Sequence, residues 1–142
     1  MASCPSNTYY KNDSTPYCVI RCPDNYYASP IDRNCKVGGS CPTTPVRYFA
    51  DDTTNMCVIN CPNNTFADIT TGRCLIYCSS GYFADKTMWK CVQTCPTDYY
   101  RSVVTRSCLL KCTEGYFIDR KTLNCTQTCS TGTFGDFATG FC

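Results

Sequence analysis

The chain has no histidine. That excludes Cys-His and Ser-His-Asp catalytic constellations and mixed Cys/His zinc sites. Leu, Ile, Val and Phe are scarce for 142 residues, and much of the apolar surface must come from 11 Tyr, 7 Phe and 1 Trp, so one large aliphatic core is not expected. No apolar run approaches the roughly 18 residues that cross a bilayer, so no membrane span is expected in this segment. A dominant charge is missing as well. Thirteen Lys and Arg stand against 11 Asp and Glu, a net of +2, which is too thinly spread to mark a nucleic-acid partner or an anionic membrane. The start, Met1-Ala2-Ser3-Cys4, lacks a charged and apolar signal segment. Either processing precedes this numbering or the sequence is one piece of a longer chain, and an opening close to Cys4 with an end on Cys142 favours the second.

What the chain has in excess is cysteine, 16 residues. A cell interior would hold so many thiols reduced, so they bind metal or the chain matures in an oxidising compartment. The gaps between cysteines alternate long and short. From Cys61 onward they follow a strict C-x12-C-x3 period of 17 residues, while the repeats that open at Cys4, Cys22 and Cys41 are looser. This internal repeat governs the whole reading. It divides 1–142 into one array of eight units: 4–21, 22–40, 41–60, 61–77, 78–94, 95–111, 112–128 and 129–142.

Alignment of the units with one another yields C-[PST]-x-[NGD]-[YT]-[FY]-A-D-x-x-T-x-x-C-[LV], plainest in Cys61-Pro62-Asn63-Asn64-Thr65-Phe66-Ala67-Asp68. Each unit reads as one β-hairpin. Pro followed by Asn, Gly or Asp makes a turn, the aromatic stretch is a short strand, Asp-x-x-Thr reverses the chain, and the second cysteine begins the return strand. No 3.6-residue periodicity argues for helix. The expected fold is small, disulfide-rich and all-β or irregular, a linear array of eight hairpins in a solenoid-like rod of order 80 Å with little or no helix.

Two adjacent slots differ in what they tolerate. Five residues after the opening cysteine stands a ring: Tyr9, Tyr27, Phe66, Phe83, Tyr100, Phe117 and Phe134, with Phe49 in the expanded third unit. The preceding slot holds Thr8, Tyr26, Tyr48, Thr65, Tyr82, Tyr99, Tyr116 and Thr133, large or small but always hydroxylated. Neighbouring strand residues face opposite ways. The ring slot is therefore expected to pack on disulfides and the next unit, and the hydroxyl slot to face water, glycan or a partner. Tyr26, Tyr82, Tyr99, Tyr116 and the single tryptophan, Trp89, are the candidate interface residues.

Sixteen cysteines allow about two million pairings, of which three treat the units alike. Long closure joins Cys4 to Cys18, Cys22 to Cys35, Cys41 to Cys57, Cys61 to Cys74, Cys78 to Cys91, Cys95 to Cys108, Cys112 to Cys125 and Cys129 to Cys142, and it uses every sulfur. Closure across the short gaps would strand Cys4 and Cys142 and span roughly 13 Å, against the ~4.4 to 6.8 Å that a disulfide needs. An interleaved scheme, Cys41 to Cys61 and Cys57 to Cys74, would group the units in pairs. Long closure is preferred, and the interleaved scheme stays open.

Segments such as Cys57-Val58-Ile59-Asn60-Cys61-Pro62 and Cys91-Val92-Gln93-Thr94-Cys95-Pro96 resemble the cysteine-rich repeats of furin-like and growth-factor-receptor type. The single-disulfide half of a tumour-necrosis-factor-receptor module is similar. The greatest likeness is to long repeat surface proteins of ciliates and related protists. The resemblance implies an extracellular, rod-like module whose long loop is closed by one disulfide. The chain lacks the close-set cysteines of the receptors' two-disulfide modules, so no binding residues carry over.

No catalytic residues, cofactor or metal site are expected. Zinc knuckles usually present C-x2-C, whereas every close pair here spans three residues or more. Asp51, Asp68, Asp85, Asp119 and Asp136 share a register that could line a calcium ladder, but an Asp at the start of a reversal more often accepts backbone amide bonds as an Asx turn. N-glycosylation sequons open at Asn12, Asn63 and Asn124, making N-linked glycans an expected partner. The leading expectation is a secreted, cell-surface structural protein, a stiff segment of a coat or filament that self-associates or binds other surface proteins. The alternative is a receptor-type ectodomain or adhesion stalk for a protein or glycan ligand.

Overall fold

The structure, a computed structural model, describes residues 4–6, 8–12 and 15–142, and of residues 10–12, 15 and 16 only the backbone. Among the described residues there is no helix. Fourteen short strands form consecutive antiparallel hairpins: β1 (Tyr9–Asn12) with β2 (Thr15–Val19), β3 (Tyr26–Ala28) with β4 (Cys35–Val37), β5 (Phe49–Asp51) with β6 (Met56–Val58), β7 (Phe66–Asp68) with β8 (Arg73–Leu75), β9 (Phe83–Asp85) with β10 (Lys90–Val92), β11 (Tyr100–Ser102) with β12 (Ser107–Leu109), and β13 (Phe117–Asp119) with β14 (Asn124–Thr126). All eight bridges follow long closure with Cα atoms 5.5 or 5.6 Å apart, and no cysteine is free. The protein is a small, disulfide-rich, all-β array of repeated hairpins.

The chain divides into two compact units, Met1–Ile76 and Tyr77–Cys142. In the first, β1 and β2 form their own two-stranded sheet, and the remaining strands run β7-β8-β5-β6-β3-β4. Arg33 ties repeat one to repeat two by donating from Nη2 to Thr8 O at 2.7 Å and to Pro5 O. In the second unit the order is β13-β14-β11-β12-β9-β10.

Two left-handed positions, both occupied in repeats two and four to eight, make this order possible. The first is the Asn, Gly or Asp of the opening turn: Asn25, Asn64, Gly81, Asp98, Gly115 and Gly132 all have φ between 63 and 85°. These short polar or side-chain-free residues adopt that conformation at least cost. The second lies two positions before the closing cysteine and was not singled out by the repeat pattern. It comprises Arg33, Asn55, Gly72, Trp89, Arg106, Leu123 and Gly140, with φ from 52 to 74°. Its amide closes the reversal onto the carbonyl four residues back, as Asn55 N to Asp51 O at 2.9 Å and Leu123 N to Asp119 O at 2.8 Å.

The carbonyl of this second residue accepts an amide of the preceding hairpin's first strand in the pairs given next. Ala28 donates to Asn55, Ala50 to Gly72, Ala84 to Arg106, Arg101 to Leu123 and Ile118 to Gly140, all at 2.8 to 3.0 Å. The hairpins thus meet through parallel contacts such as Ala28 opposite Met56 and Arg101 opposite Asn124. An L-residue with a side chain costs roughly 1–2 kcal/mol in this conformation. Arg106→Gly is therefore expected to raise stability by about 0.5–1 kcal/mol, the gain being offset in part by the freer unfolded chain. Urea unfolding should show a higher midpoint for Arg106→Gly and an unchanged one for Arg106→Ala. Equal midpoints for the two variants would show that the left-handed φ is not what is relieved.

The core is a series of small nuclei. Tyr27 of repeat two packs with Cys41, Ala50 and Cys57 of repeat three, and Phe49 of repeat three with Ala67 and Cys74 of repeat four. Each ring covers the next repeat's disulfide, which is how adjacent hairpins hide apolar surface without a shared interior.

Two expectations need correction. The hydroxyl slot does not open freely to water: Thr8, Thr65 and Thr133 donate Oγ1 to Pro5 O, Pro62 O and Ser130 O at 2.9, 2.7 and 2.6 Å, closing the opening turn. Tyr26, Tyr82, Tyr99 and Tyr116 are half-buried. The eighth hairpin is also incomplete, with a single antiparallel bridge between Asp136 and Phe141. There the ring slot turns outward, leaving Phe134 88% exposed, and Gly135 replaces a side-chain-bearing residue. A Cβ at Gly135 would lie 2.5 Å from the Phe117 ring, so this backbone approaches the ring more closely than any other residue type permits.

Candidate functional site

The repeated aspartates are turn formers. Asp51, Asp68, Asp85 and Asp119 are all at most 3% exposed. Asp51 Oδ1 accepts from Thr53 N at 3.0 Å and its Oδ2 from Thr54 Oγ1 at 2.6 Å. Asp68 and Asp85 Oδ1 each accept an amide, from Thr70 and Thr87, at 2.8 Å. The Thr at the third position of the reversal adds its hydroxyl in repeat five, Thr87 Oγ1 to Asp85 at 2.7 Å. Ser102 fills the slot in repeat six and accepts Thr105 N at 3.3 Å. Asp51, Asp68 and Asp85 point into their own turns, while Asp119 also accepts from Ser130 of repeat eight through Oδ2. Among the described residues no group of three or more His, Cys, Asp or Glu could hold a metal ion.

Hydrogen bonds also explain the acidities. The Ser130 hydroxyl, which bonds Asp119 Oδ2, is the chief reason its carboxyl is held below the usual range, helped by backbone amides of Lys121, Thr122 and Ser130. The Ala138 amide, 2.8 Å from Asp136 Oδ1, is the main cause of the same downward shift there. Burial pushes Asp32 upward but is outweighed by Lys36 and the Asn34 amide, and the result is again a lowered value.

One cluster breaks the repeat. Tyr27 donates its phenol to Asp52 Oδ1, and Arg73 Nη2 reaches Tyr27 Oη at 2.6 Å and Asp52 Oδ1 at 2.7 Å. The guanidinium carbon stands 5.3 Å from the Tyr27 ring centre. Gly38, in the Lys36–Ser40 linker, makes room for it, since a Cβ there would lie 2.3 Å from Arg73 Nη1. The next linker residue, Gly39, lies against the backbone of Thr71 and Gly72. Burial first, then the bond to Asp52, raises the Tyr27 pKa, so the phenol stays protonated and serves as a donor rather than a base. The cluster joins repeats two, three and four, across the expanded third unit, and acts as a structural tie. The exposed Arg73–Asp52 ion pair adds about 0–1 kcal/mol.

The remaining candidates are scattered. Asn63 is exposed on an opening turn, where a glycan has room. Asn124 is half-buried in β14, opposite Asp119 and Arg101. The Asn12 side chain lies outside the described residues. Trp89 sits on the reversal of repeat five, 38% exposed with φ 53°. At the last repeats a cleft of about 350 Å³ is walled by Leu110, Tyr116, Ile118, Phe137 and Phe141. Phe137 meets Phe117 edge-on at 5.0 Å, and Arg120 stacks over Phe141 at 4.3 Å.

The structure brings Tyr27 and Arg73 together, which no sequence spacing suggests. Comparison with protein-family models, curated proteins and solved structures finds no match to this chain.

Proposed function

We propose that this chain is a structural segment of an extracellular cell-surface coat or filament, stiffened by one disulfide per repeat. The reading rests on one observation. The same closure, the same reversal and the same carbonyl-to-amide contact recur from repeat to repeat, and the one cluster that breaks the pattern ties neighbours together. Such uniformity suits a load-bearing or spacing role, because each hairpin is held by its staple and its neighbours. The resemblance to furin-like repeats and to protist surface proteins agrees with that role. Eight disulfides are at home in an oxidising compartment, and glycans at Asn63 belong to the same reading.

Self-association is part of the proposal and is centred on repeat eight. There Phe134 is bare. Association is read as running through side chains, with Phe134 foremost. Sedimentation and negative-stain imaging over a concentration series should show assemblies of the oxidised protein. Phe134→Ser is expected to weaken association about tenfold, with all bridges retained. Single particles at every concentration would remove self-association from the reading.

A further inference from the structure

We infer that the cleft between the opening turn of repeat six and the reversal of repeat seven is a carbohydrate-binding site that takes one pyranose unit of a glycan. The parallel pairing of Arg101 with Asn124 sets that turn beside that reversal. Pro96, Thr97, Asp98, Tyr99, Arg120 and Leu123 surround a space of about 410 Å³ there, and clefts of this size hold small molecules. Its far wall is fixed, because Arg101 donates its amide to Leu123 O at 3.0 Å and Nη2 to Thr122 O at 2.8 Å.

The same junction elsewhere in the array shows what chemistry fits it. Between repeats one and two, Arg33 Nη2 donates to Pro5 O and Thr8 O. Between repeats two and three, Asn55 Nδ2 donates to Tyr26 O at 2.7 Å and Cys22 O at 3.1 Å. Both side chains stand at the second left-handed position of a reversal, and both bond main-chain carbonyls of the preceding opening turn. In repeat seven that position is Leu123, 47% exposed, whose side chain has nothing to donate. The counterpart carbonyls belong to Pro96 and Tyr99. Pro96 O takes the Tyr99 amide at 3.0 Å, and among the described residues no side chain donates to either carbonyl. This junction keeps the acceptors of the earlier ones and lacks their internal donor.

Its charged groups stand apart from partners as well. Asp98 and Arg120 are exposed and line the same cleft, and the ion pairs among the described residues, Lys36 with Asp32 and Arg73 with Asp52, involve neither. Arg120 lies over the Phe141 ring at 4.3 Å, a face contact that does not use its N–H groups.

A carboxylate and a guanidinium in one cleft disfavour a charged ligand of either sign, since one of the two would repel it. A neutral ligand with several hydroxyls suits both. Each hydroxyl donates to Asp98 or to a turn carbonyl and accepts from Arg120, while Pro96 and Leu123 offer apolar surface to the C–H face of a sugar ring. A single amide side chain from a protein would reach the carbonyls as Asn55 does, but it has no ring to lay on those two residues. The cleft at the junction of repeats seven and eight has no carboxylate in its wall and does not share this character.

The test titrates the oxidised, isotope-labelled full chain with the methyl glycosides of glucose, galactose, mannose and N-acetylglucosamine and follows amide NMR shifts. At least one glycoside is expected to shift the amides of residues 97–99 and 120–123 with a millimolar Kd, the affinity that an open cleft gives so small a ligand. Leu123→Asn should abolish those shifts and keep the fold, because Asn adopts the left-handed conformation readily and would bond the turn as Asn55 does. Asp98→Asn keeps a residue suited to its φ of 66° and removes the charge, so binding should weaken about tenfold or more. Thiol titration and circular dichroism establish that both variants are folded. No shift with any of the four glycosides at tens of millimolar, undiminished binding by either variant, or equal shifts from acetamide would each overturn the proposal. The last result would assign the cleft to a peptide amide instead.

Discussion

Reduced with excess thiol, the protein is expected to lose all its β structure at room temperature, whereas the oxidised chain keeps it on moderate heating. The nuclei are small, each a ring, an alanine and the sulfurs of one bridge. Closing a loop of about 14 residues contributes roughly 3 kcal/mol, while fixing each residue's backbone costs about 1–2 kcal/mol. A hairpin therefore stands only with both its staple and its neighbours. Removing the sulfur bridges deletes the first and dissolves the cores that supply the second. Circular dichroism with and without reductant measures this directly, and an unaltered melt would mean that ring stacking alone holds the repeats. Removal of one bridge, as in Cys108→Ser with Cys95→Ser, should cost about 2–5 kcal/mol. Proteolysis is expected to begin in repeat six of that variant, because each hairpin depends chiefly on the two beside it.

Asp85→Ala has the next largest expected effect. Asp85 is 1% exposed and accepts both the amide and the hydroxyl of Thr87. Alanine leaves those donors without the partner that sets the turn, a loss of about 1–3 kcal/mol. Asp85→Ser should lose less, since Ser102 holds the equivalent place in repeat six. Hydrogen exchange should show faster opening in repeat five for the alanine variant, with repeat eight unaffected. Uniform acceleration along Tyr77–Cys142 would instead show that its repeats open as one body.

Much of this structure could be read from residues near one another in the chain. Pro62, Asn64 and Asp68 announce two turns, and the bridge between Cys61 and Cys74 follows from a spacing that suits a hairpin. The Asx reading of the aspartates rests on bonds two or three residues away. Other features were misjudged for a definite reason. The hydroxyl slot looked outward because alternation was applied to a strand only three residues long, and Thr65 sits before that strand, within the turn whose carbonyl it bonds. Phe134 was placed in the packed ring slot by its position in the repeat, yet it is 88% exposed. The mixture of Arg, Asn, Gly, Trp and Leu two positions before the closing cysteine hid a conformational requirement, since five residue types in one slot resemble no constraint at all.

By itself the sequence determined the repeat, the hairpin, its two turns and the preference for one bridge per unit, because all of these act over fewer than about 17 residues. Only the tertiary structure decided which amide meets which carbonyl, and that Tyr27 and Arg73 join across 46 positions. Those outcomes depend on the direction in which successive hairpins stack. Stacking is governed by left-handed residues whose carbonyls point out of their own repeat, toward partners that no local spacing reveals.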